Sequence, residues 1–272
     1  MPELPEVETT RRGVGSLLRG GIVSGVMVRD PRLRRPVPAD LGTILDGQRL
    51  AEVTRRGKYL LYRFAHGTLI VHLGMSGSLR ILPANTPPRA HDHVDLEFDG
   101  TRLMRLRDPR RFGLMLWTTE PPARHPLLAT LGPEPWDDAF SAAYLRALAV
   151  RRRAAVKSML MDAQVVVGVG NIYASEALHR AGIHPLRAAN RVSGARYARL
   201  VAAVREVLEE AIGYGGTTLR DFTRDDGRPG YFRNELRVYG RAGEGCTSCG
   251  RGPVAQRVIG GRSSFFCPHC QR

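Results

Sequence analysis

KYLLYRFAHGTLIVHLG, residues 58–74, decides the fold of the first half of this chain. It contains two short runs of aliphatic and aromatic residues, and similar runs lie on either side of it: IVSGVMV, RLAEVT, SLRIL, HVDLEF, RLMRLR and GLMLWTT. Most are bounded by Gly, Pro, Asn or Asp, so the segment from Ile22 to Thr119 predicts about eight strands. No helical stretch is long enough for a crossover between parallel strands. We therefore expect an antiparallel sandwich or barrel and not a Rossmann sheet.

A helix is predicted before the strands, over PEVETTRRGVGSLL from Pro5 to Leu18. Pro and Glu stand at its head and Arg later, which is the order that a helix dipole favours. We expect Gly13 and Gly15 to break or soften this helix.

The second half of the chain has helical periodicity. After the Pro-rich joint LGPEPWDD at 131–138, apolar residues recur every three or four positions. Ser141 and Ser193 stand where N-caps are expected, and the glycines of 213–216 end the longest predicted helix. The Gly- and Arg-rich stretch at about 215–232 is predicted to form a long loop.

The composition of the chain indicates which class of partner it binds. The 272 residues include 41 basic and 26 acidic side chains, for a net charge of +15, and 43% are hydrophobic. Such a chain is too apolar for disorder and long enough for about two domains. The positive charge favours a polyanion, with nucleic acid ahead of an anionic membrane. No apolar run reaches the roughly 18 residues that span a bilayer, and the acidic start is unlike a signal peptide, so we expect a cytoplasmic protein.

All four cysteines lie near the end of the chain, at Cys246, Cys249, Cys267 and Cys270. Two C-x2-C pairs at this spacing predict one tetrahedral Zn²⁺, which is structural because no ligand position stays open. Two disulfides are the alternative for a secreted chain. Between the pairs we expect a hairpin that turns at Gly260-Gly261, with Arg257 and Arg262 beside the turn. These arginines suit phosphate contact, and solvated turn residues are the alternative.

VVVGVGNIYASEAL, residues 165–178, places glycines and Asn171 where a helix begins. The free N–H groups at such a start bind anions, which predicts a clamp on a nucleic-acid backbone. A tight turn is the bland alternative for the glycines. The third glycine or alanine of a dinucleotide fingerprint is replaced by Tyr173, so no nucleotide cofactor is expected.

Three loop residues predict a wedge for a base stack. Met75 in HLGMSG, and Arg110 and Phe112 in DPRRFG, stand beside glycines at turns, although core packing remains the alternative for the two apolar residues. His91 and His93 suggest a metal site, but with no third ligand in the sequence pattern a polar strand entry is favoured.

The start of the chain offers a nucleophile. Removal of Met1 exposes the amine of Pro2, and an α-amino group with a pKa near about 8 has a larger neutral fraction at pH 7 than a lysine has. Glu3 and Glu6 lie close enough in sequence to carry protons for it, while stabilisation of the helix dipole is the alternative role.

The chain resembles the bacterial formamidopyrimidine-DNA glycosylase family, also called 8-oxoguanine DNA glycosylases. The resemblance runs from residue 2 to 270 and rests on these ordered motifs: MPELPEVET, RRGKYL, HLGMSGSLR, HDHVDL, DPRRFG, VVGVGNIYASE, GGTTLRDF, DGRPGYF and the four-cysteine ribbon. It implies an α+β multidomain protein with an N-terminal antiparallel β-sandwich and flanking helix, then a helix-two-turn-helix domain and a C-terminal zinc-ribbon hairpin. The boundaries implied are 1–132, 133–237 and 238–272.

The resemblance also implies roles for single residues. Pro2 is the nucleophile that forms a Schiff base with the sugar, Glu3 is the general acid, Glu6 is the second carboxylate, and Lys58 contacts a phosphate and assists catalysis. Damaged double-stranded DNA is the implied partner of a monomer, which needs one structural Zn²⁺ and acts in the bacterial cytoplasm at the nucleoid. The implied DNA contacts are His72, Met75, His91, Arg110, Phe112, Lys157, Asn171 and Arg262, with the loop near 217–232 closing over the extruded base.

Two rival functions differ from this one. Endonuclease VIII shares the amine chemistry and prefers oxidised pyrimidines, but its pattern opens with Pro-Glu-Gly-Pro, where this chain has Leu4. A non-catalytic zinc-ribbon DNA-binding protein needs neither Pro2 nor paired glutamates.

Overall fold

The computed structural model describes residues 2–216 and 235–272. These residues divide into two compact units. The first unit contains residues 2–129 with 215–216, and the second contains residues 130–214 and 235–272. The boundaries of the three domains expected from sequence stay a prediction.

The first unit is an antiparallel β-sandwich with short flanking helices. One four-stranded sheet has the order β1-β6-β7-β5 and the other has the order β2-β3-β4-β8. The strands are β1 (Val23–Val28), β2 (Glu52–Arg56), β3 (Tyr59–Phe64), β4 (Gly67–His72), β5 (Ser78–Pro83), β6 (Asp92–Phe98), β7 (Arg102–Arg107) and β8 (Leu114–Thr118). The predicted sandwich is confirmed, and each of the eight predicted strands is present.

The core of this unit lies between the sheets. Strands β3 and β4 pair from Tyr59 opposite His72 to Phe64 opposite Gly67, which fixes the faces that their alternating side chains take. Buried side chains of both sheets meet there, among them Leu60, Tyr62, Leu69, Val71, Val94, Leu96 and Phe98. Burial of this apolar surface is the main driving force for the sandwich.

Helix α1 (Leu4–Leu18) runs without a break, so the expectation that Gly13 and Gly15 interrupt it is wrong. Its apolar face buries Val7, Val14 and Leu18 in the sandwich core. That burial offsets the backbone entropy that each glycine costs, about 1 kcal/mol relative to Ala. A Cβ at Gly15 would lie 3.7 Å from the Cβ of Val53, so the helix packs closely on β2.

Two further helices of the first unit, α2 (Leu41–Leu45) and α3 (Pro126–Ala129), were not predicted. They are too short for a helical hydrophobic pattern to repeat, so the sequence carries no periodic signal for them.

The second unit is helical and ends in a β-hairpin. It contains α4 (Ala142–Ala149), α5 (Val156–Leu160), α6 (Asn171–Arg180) and α7 (Gly194–Gly213), then β9 (Ala255–Ile259) and β10 (Arg262–Phe266). Ser141 and Ser193 cap α4 and α7, each accepting a backbone N–H, and the hairpin turns at 260–261 as expected. No helix in the described ranges is both long enough and apolar enough to cross a membrane.

Candidate active site and nucleic-acid interface

The head of α1 holds the two glutamates beside Pro2. Glu3 is the N-cap residue, and the side chain of Glu6 accepts the Glu3 backbone N–H at 2.8 Å in a capping box. Both glutamates are only 2% exposed, and Pro2 is buried as well. Glu6 therefore caps the helix, and it lies in the first turn, where the helix-dipole stabilisation weighed as the alternative role also applies. Glu3 directly follows Pro2, and the capping-box hydrogen bonds fix the positions of both carboxylates at this end of the helix. Met1 lies outside the described residues.

Gly216 lies against this site. Its φ of +83° favours glycine, and a Cβ there would come within 2.9 Å of a Glu6 carboxylate oxygen. The predicted loop at about 215–232 therefore begins in contact with Glu6. From residue 217 onward that loop lies outside the described residues.

Lys58 stands in the turn between β2 and β3, after Gly57. The neighbouring residue Tyr59 pairs across the sheet with His72. Burial, followed by the positive charges of Lys58 and Arg34, lowers the pKa of His72 to about 4. The Gly74 N–H donates to His72 Nδ1 at 2.9 Å, so the single ring proton is on Nε2. His72 is thus a neutral donor at pH 7.

An ion pair joins α1 to the turn that carries Lys58. Glu8 accepts from Arg55 Nε at 3.2 Å, and Arg55 Nη1 donates to the Gly57 carbonyl at 2.9 Å. Both charged side chains are 11% exposed. The sequence did not indicate this link, because Glu8 and Arg55 are far apart along the chain.

The three predicted wedge residues lie at the surface. Met75 and Phe112 are 40% and 44% exposed, and the Arg110 guanidinium carbon lies 5.0 Å from the centroid of the Phe112 ring. Core packing, the alternative for the two apolar residues, is thereby excluded. Exposed apolar side chains beside a cation fit insertion between bases.

His91, just before β6, and His93, within that strand, do not form a metal site with other described residues. His91 is exposed with φ of +72°, and His93 is buried and bonds through Nε2 to the Asp108 carbonyl at 2.9 Å. In the described part of the chain, the cysteines supply the one cluster with the donors to hold a metal. The DNA contact expected for His91 stays a prediction.

A hydrogen-bonded cluster in the second unit joins α5, α6 and β10. Lys157 Nζ donates to Asn171 Oδ1 at 2.6 Å and to Ser264 Oγ at 2.5 Å, and Asn171 Nδ2 donates to the Ser263 carbonyl at 2.9 Å. Lys157 is 1% exposed, so it supports the cluster from inside the protein. The sequence did not single out the two serines.

Two of the predicted phosphate contacts stand at the edge of this cluster. Asn171 is the first residue of α6, where backbone N–H groups lack helical acceptors. Arg262 is exposed and opens β10, directly after the turn. The cluster therefore ties the start of α6 to the hairpin strand that carries Arg262.

The four cysteines form a metal centre. All are free thiols, which excludes the disulfide alternative, and their Sγ atoms lie within 4.8 Å of one another. The Cys246–Cys270 and Cys249–Cys267 pairs are 3.8 and 3.7 Å apart. A ZnS₄ tetrahedron with Zn–S bonds of about 2.3 Å has edges of about 3.8 Å, so the site fits Zn²⁺. His179 Nε2 lies 3.8 Å from Cys246 Sγ, as an outer partner of the centre.

Two family models match the chain. Residues 1–115 match the formamidopyrimidine-DNA glycosylase N-terminal domain, and residues 131–223 match the H2TH domain of the same enzyme. The chain belongs to the formamidopyrimidine-DNA glycosylase family. The relatives of this name include those of Methylococcus capsulatus, 60% identical, and Syntrophotalea carbinolica, 58% identical, each aligned over the whole of both chains.

Solved glycosylase structures of this family have the same fold. The MutM (Fpg) protein of Thermus thermophilus is 41% identical with a TM-score of 0.87, over 99% of this chain and 98% of that one. The Lactococcus lactis enzyme in complex with DNA that contains N7-benzyl-Fapy-dG is 32% identical with a TM-score of 0.91, over the whole of both chains. The predicted fold is confirmed.

Proposed function

We propose that this protein is a bifunctional DNA glycosylase and abasic-site lyase of base excision repair. It removes oxidised purines, 8-oxoguanine and formamidopyrimidines, from double-stranded DNA and then cleaves the strand. Support comes from full-length similarity to glycosylases of this name and from solved relatives bound to Fapy-dG DNA and to abasic-site DNA. We place the enzyme, as a monomer, in the bacterial cytoplasm at the nucleoid.

The observation that carries the proposed mechanism is the head of α1. Pro2, Glu3 and Glu6 lie within the first six residues and are buried, and a capping box holds the carboxylates in place. In the capping box the Glu3 carboxylate accepts the Glu6 backbone N–H and the Glu6 carboxylate accepts that of Glu3, so both groups are held where they can carry protons for the Pro2 amine.

The reaction follows from these groups. The Pro2 amine attacks C1′ of the damaged nucleotide, the bond from C1′ to the base breaks, and the base leaves with a proton. Glu3 donates a proton to the ring oxygen as the sugar opens, which leaves an iminium between Pro2 and C1′. The iminium acidifies C2′, so loss of that proton expels the 3′ phosphate, and a second elimination expels the 5′ phosphate. Water then releases Pro2 from the remaining sugar fragment.

The other predicted residues prepare the DNA. A base inside the stack cannot be attacked, and flipping it out costs a few kcal/mol. Lys58, Asn171 and Arg262 offset this cost by holding phosphates, and His72 is a further DNA contact. Met75, Arg110 and Phe112 fill the gap, with Arg110 facing the unpaired cytosine. The zinc centre stabilises the hairpin that presents Arg262, and with four thiolates bound it takes no part in the chemistry.

Sodium borohydride tests the nucleophile. It should trap the enzyme on an 8-oxoguanine:C duplex, and peptide mapping should place the adduct on Pro2, the N-terminal residue after removal of Met1. Pro2→Gly should lose most base excision while it keeps duplex affinity, because phosphate contacts supply most of the binding. A tag ahead of Pro2 should have the same effect, since it converts the amine to an amide.

Lys58 is the competing amine, so an adduct on Lys58, or full activity with a blocked N-terminus, would contradict this mechanism. Borohydride trapping should be repeated on duplexes that contain oxidised pyrimidines, because one solved complex of the Lactococcus lactis enzyme contains an oxidised pyrimidine. A preference for those lesions would favour endonuclease VIII-like activity instead.

A further inference from the structure

The predicted wedge residues lie on two neighbouring crossover loops. Loop 73–77 leads from β4 to β5 and carries Met75, and loop 108–113 leads from β7 to β8 and carries Arg110 and Phe112. At one end of both loops β4 pairs with β8, and at the other β5 pairs with β7. Both loops therefore pass between the sheets side by side, at the same end of the sandwich.

Asp108 joins the two loops through its carboxylate and is 0% exposed. Oδ1 accepts the Ser76 hydroxyl at 2.8 Å, and Oδ2 accepts the Gly113 N–H at 2.7 Å. The Ser76 oxygen in turn accepts the Arg110 N–H at 3.2 Å. One carboxylate and one hydroxyl thus tie the backbone on both sides of Phe112 to the loop of Met75.

No charged partner explains the burial of Asp108. Within the described ranges its side chain forms no ion pair, and its two hydrogen-bond donors, Ser76 and Gly113, are neutral. Burying a carboxylate is costly unless hydrogen bonds satisfy it. A carboxylate has two oxygens that only accept, so it can hold donors from two segments at once. The Asp108 carboxylate accepts one hydrogen bond from each of the two loops, as this property allows.

The backbones of the loops also touch. Gly74 has φ of +61°, and a Cβ there would lie 2.3 Å from the Phe112 carbonyl carbon. Arg111 is itself held at φ of +57°, with its guanidinium 2.6 Å from Asp30. A backbone this constrained leaves little room for one loop to move without the other.

We propose that Asp108 and Ser76 are positioning residues that lock the two loops into one preformed wedge, so that Met75 and Phe112 enter the base stack together. The inference rests on the proposed function, in which these residues fill the gap left by the flipped nucleotide. Because the loops are already ordered in the folded protein, opening of the DNA does not require the loss of loop conformational entropy. The lock therefore speeds opening of the duplex and not the chemical step.

Ser76→Ala tests the lock, with Ser78→Ala as the matched control. Ser78 is equally buried, at 4% exposed, and its hydroxyl makes no hydrogen bond to Asp108 in the described structure. Stopped-flow fluorescence of 2-aminopurine beside an 8-oxoguanine reports unstacking. Ser76→Ala removes both hydrogen bonds of the Ser76 hydroxyl and should slow this phase by at least about tenfold, whereas Ser78→Ala should slow it by less than about twofold.

A second substrate separates the wedge from the chemistry. In borohydride trapping on an abasic site opposite a one-nucleotide gap, no partner base has to be displaced. Ser76→Ala should stay within about twofold of wild type there. Equal slowing on both substrates, or no slowing on either, overturns the lock. If the wild-type enzyme traps on neither, the proposed function has failed instead.

Conservative replacement and a double-mutant cycle complete the test. Asp108→Asn should slow unstacking less than Asp108→Ala does, because the Asn oxygen still accepts from Gly113 although the Ser76 hydroxyl loses its acceptor, whereas Asp108→Ala should be at least as slow as Ser76→Ala. Met75→Ala and Phe112→Ala should be non-additive in wild type and independent in the Ser76→Ala background. Should Ser76→Ala fail to fold, the Asn and cycle measurements decide, and additivity in wild type would refute the coupling.

Discussion

Replacing Glu8 by Gln should destabilise the first unit by about 1–2 kcal/mol at pH 7. Glu8 is 8% exposed on α1 and binds Arg11, Arg12 and Arg55. Burial alone would raise the pKa of Glu8, but hydrogen bonds from Arg11 and Arg12 and the charges of Arg11 and Arg55 lower it from 4.5 to about 2. The neutral amide forfeits the attraction that this lowering measures.

The magnitude follows from the shift in pKa. Lowering the pKa of Glu8 from 4.5 to about 2 corresponds to about 3 kcal/mol. The side chains of Arg11 and Arg12 are 31% and 61% exposed, so solvent screens their share and the energy is reduced by about half.

The sign of the pH dependence follows as well. The folded-state pKa lies below the unfolded value, so the contribution of Glu8 is fully present above pH 4.5 and is lost as the pH falls toward about 2. By pH 4 about a quarter of it is gone. The stability difference between wild type and Glu8→Gln should therefore be smaller at pH 4 than at pH 7.

Urea unfolding measures both effects. In a Trp136→Phe background the remaining tryptophan, Trp117 on β8, reports on the first unit alone. Glu52→Gln is the control, because Glu52 pairs with Arg63 at 3.1 Å on the surface, where such a pair contributes less than about 1 kcal/mol. The reasoning is refuted if Glu8→Gln costs no more than Glu52→Gln, or if its cost does not shrink at pH 4.

Three further predictions concern the second unit. Chelation of the metal or Cys249→Ser should unfold the hairpin and abolish binding of damaged DNA. Elemental analysis should find one zinc per chain. Full activity without metal would contradict the zinc site. Asn171→Ala and Arg262→Ala should weaken binding to all duplexes, with the salt slope falling by about one for the arginine; a switch in lesion preference would argue for base reading instead. Glu176→Gln should cost about 1–3 kcal/mol in urea unfolding, because the Glu176 carboxylate accepts the backbone N–H groups of residues 237–239, and an unchanged midpoint would exclude that role.

The sequence by itself determined the features that depend on local spacing. The short β-branched and aliphatic runs predicted the eight strands, and Ser141 and Ser193 marked the starts of two helices. The C-x2-C pairs predicted the metal centre, because two cysteines with two residues between them in a tight turn can bind the same ion. The motifs also sufficed to identify the family.

Only the tertiary structure decided which distant side chains meet. Glu8 and Arg55, Lys157 and Ser264, and Ser76 and Asp108 are each separated by more than thirty residues, and no local pattern pairs them. The sequence predicted helix α1 but not its continuity through the two glycines, which burial of its apolar face against the sandwich outweighs. Local signals act through backbone geometry over a few residues, whereas these contacts depend on the packing that brings separate elements together.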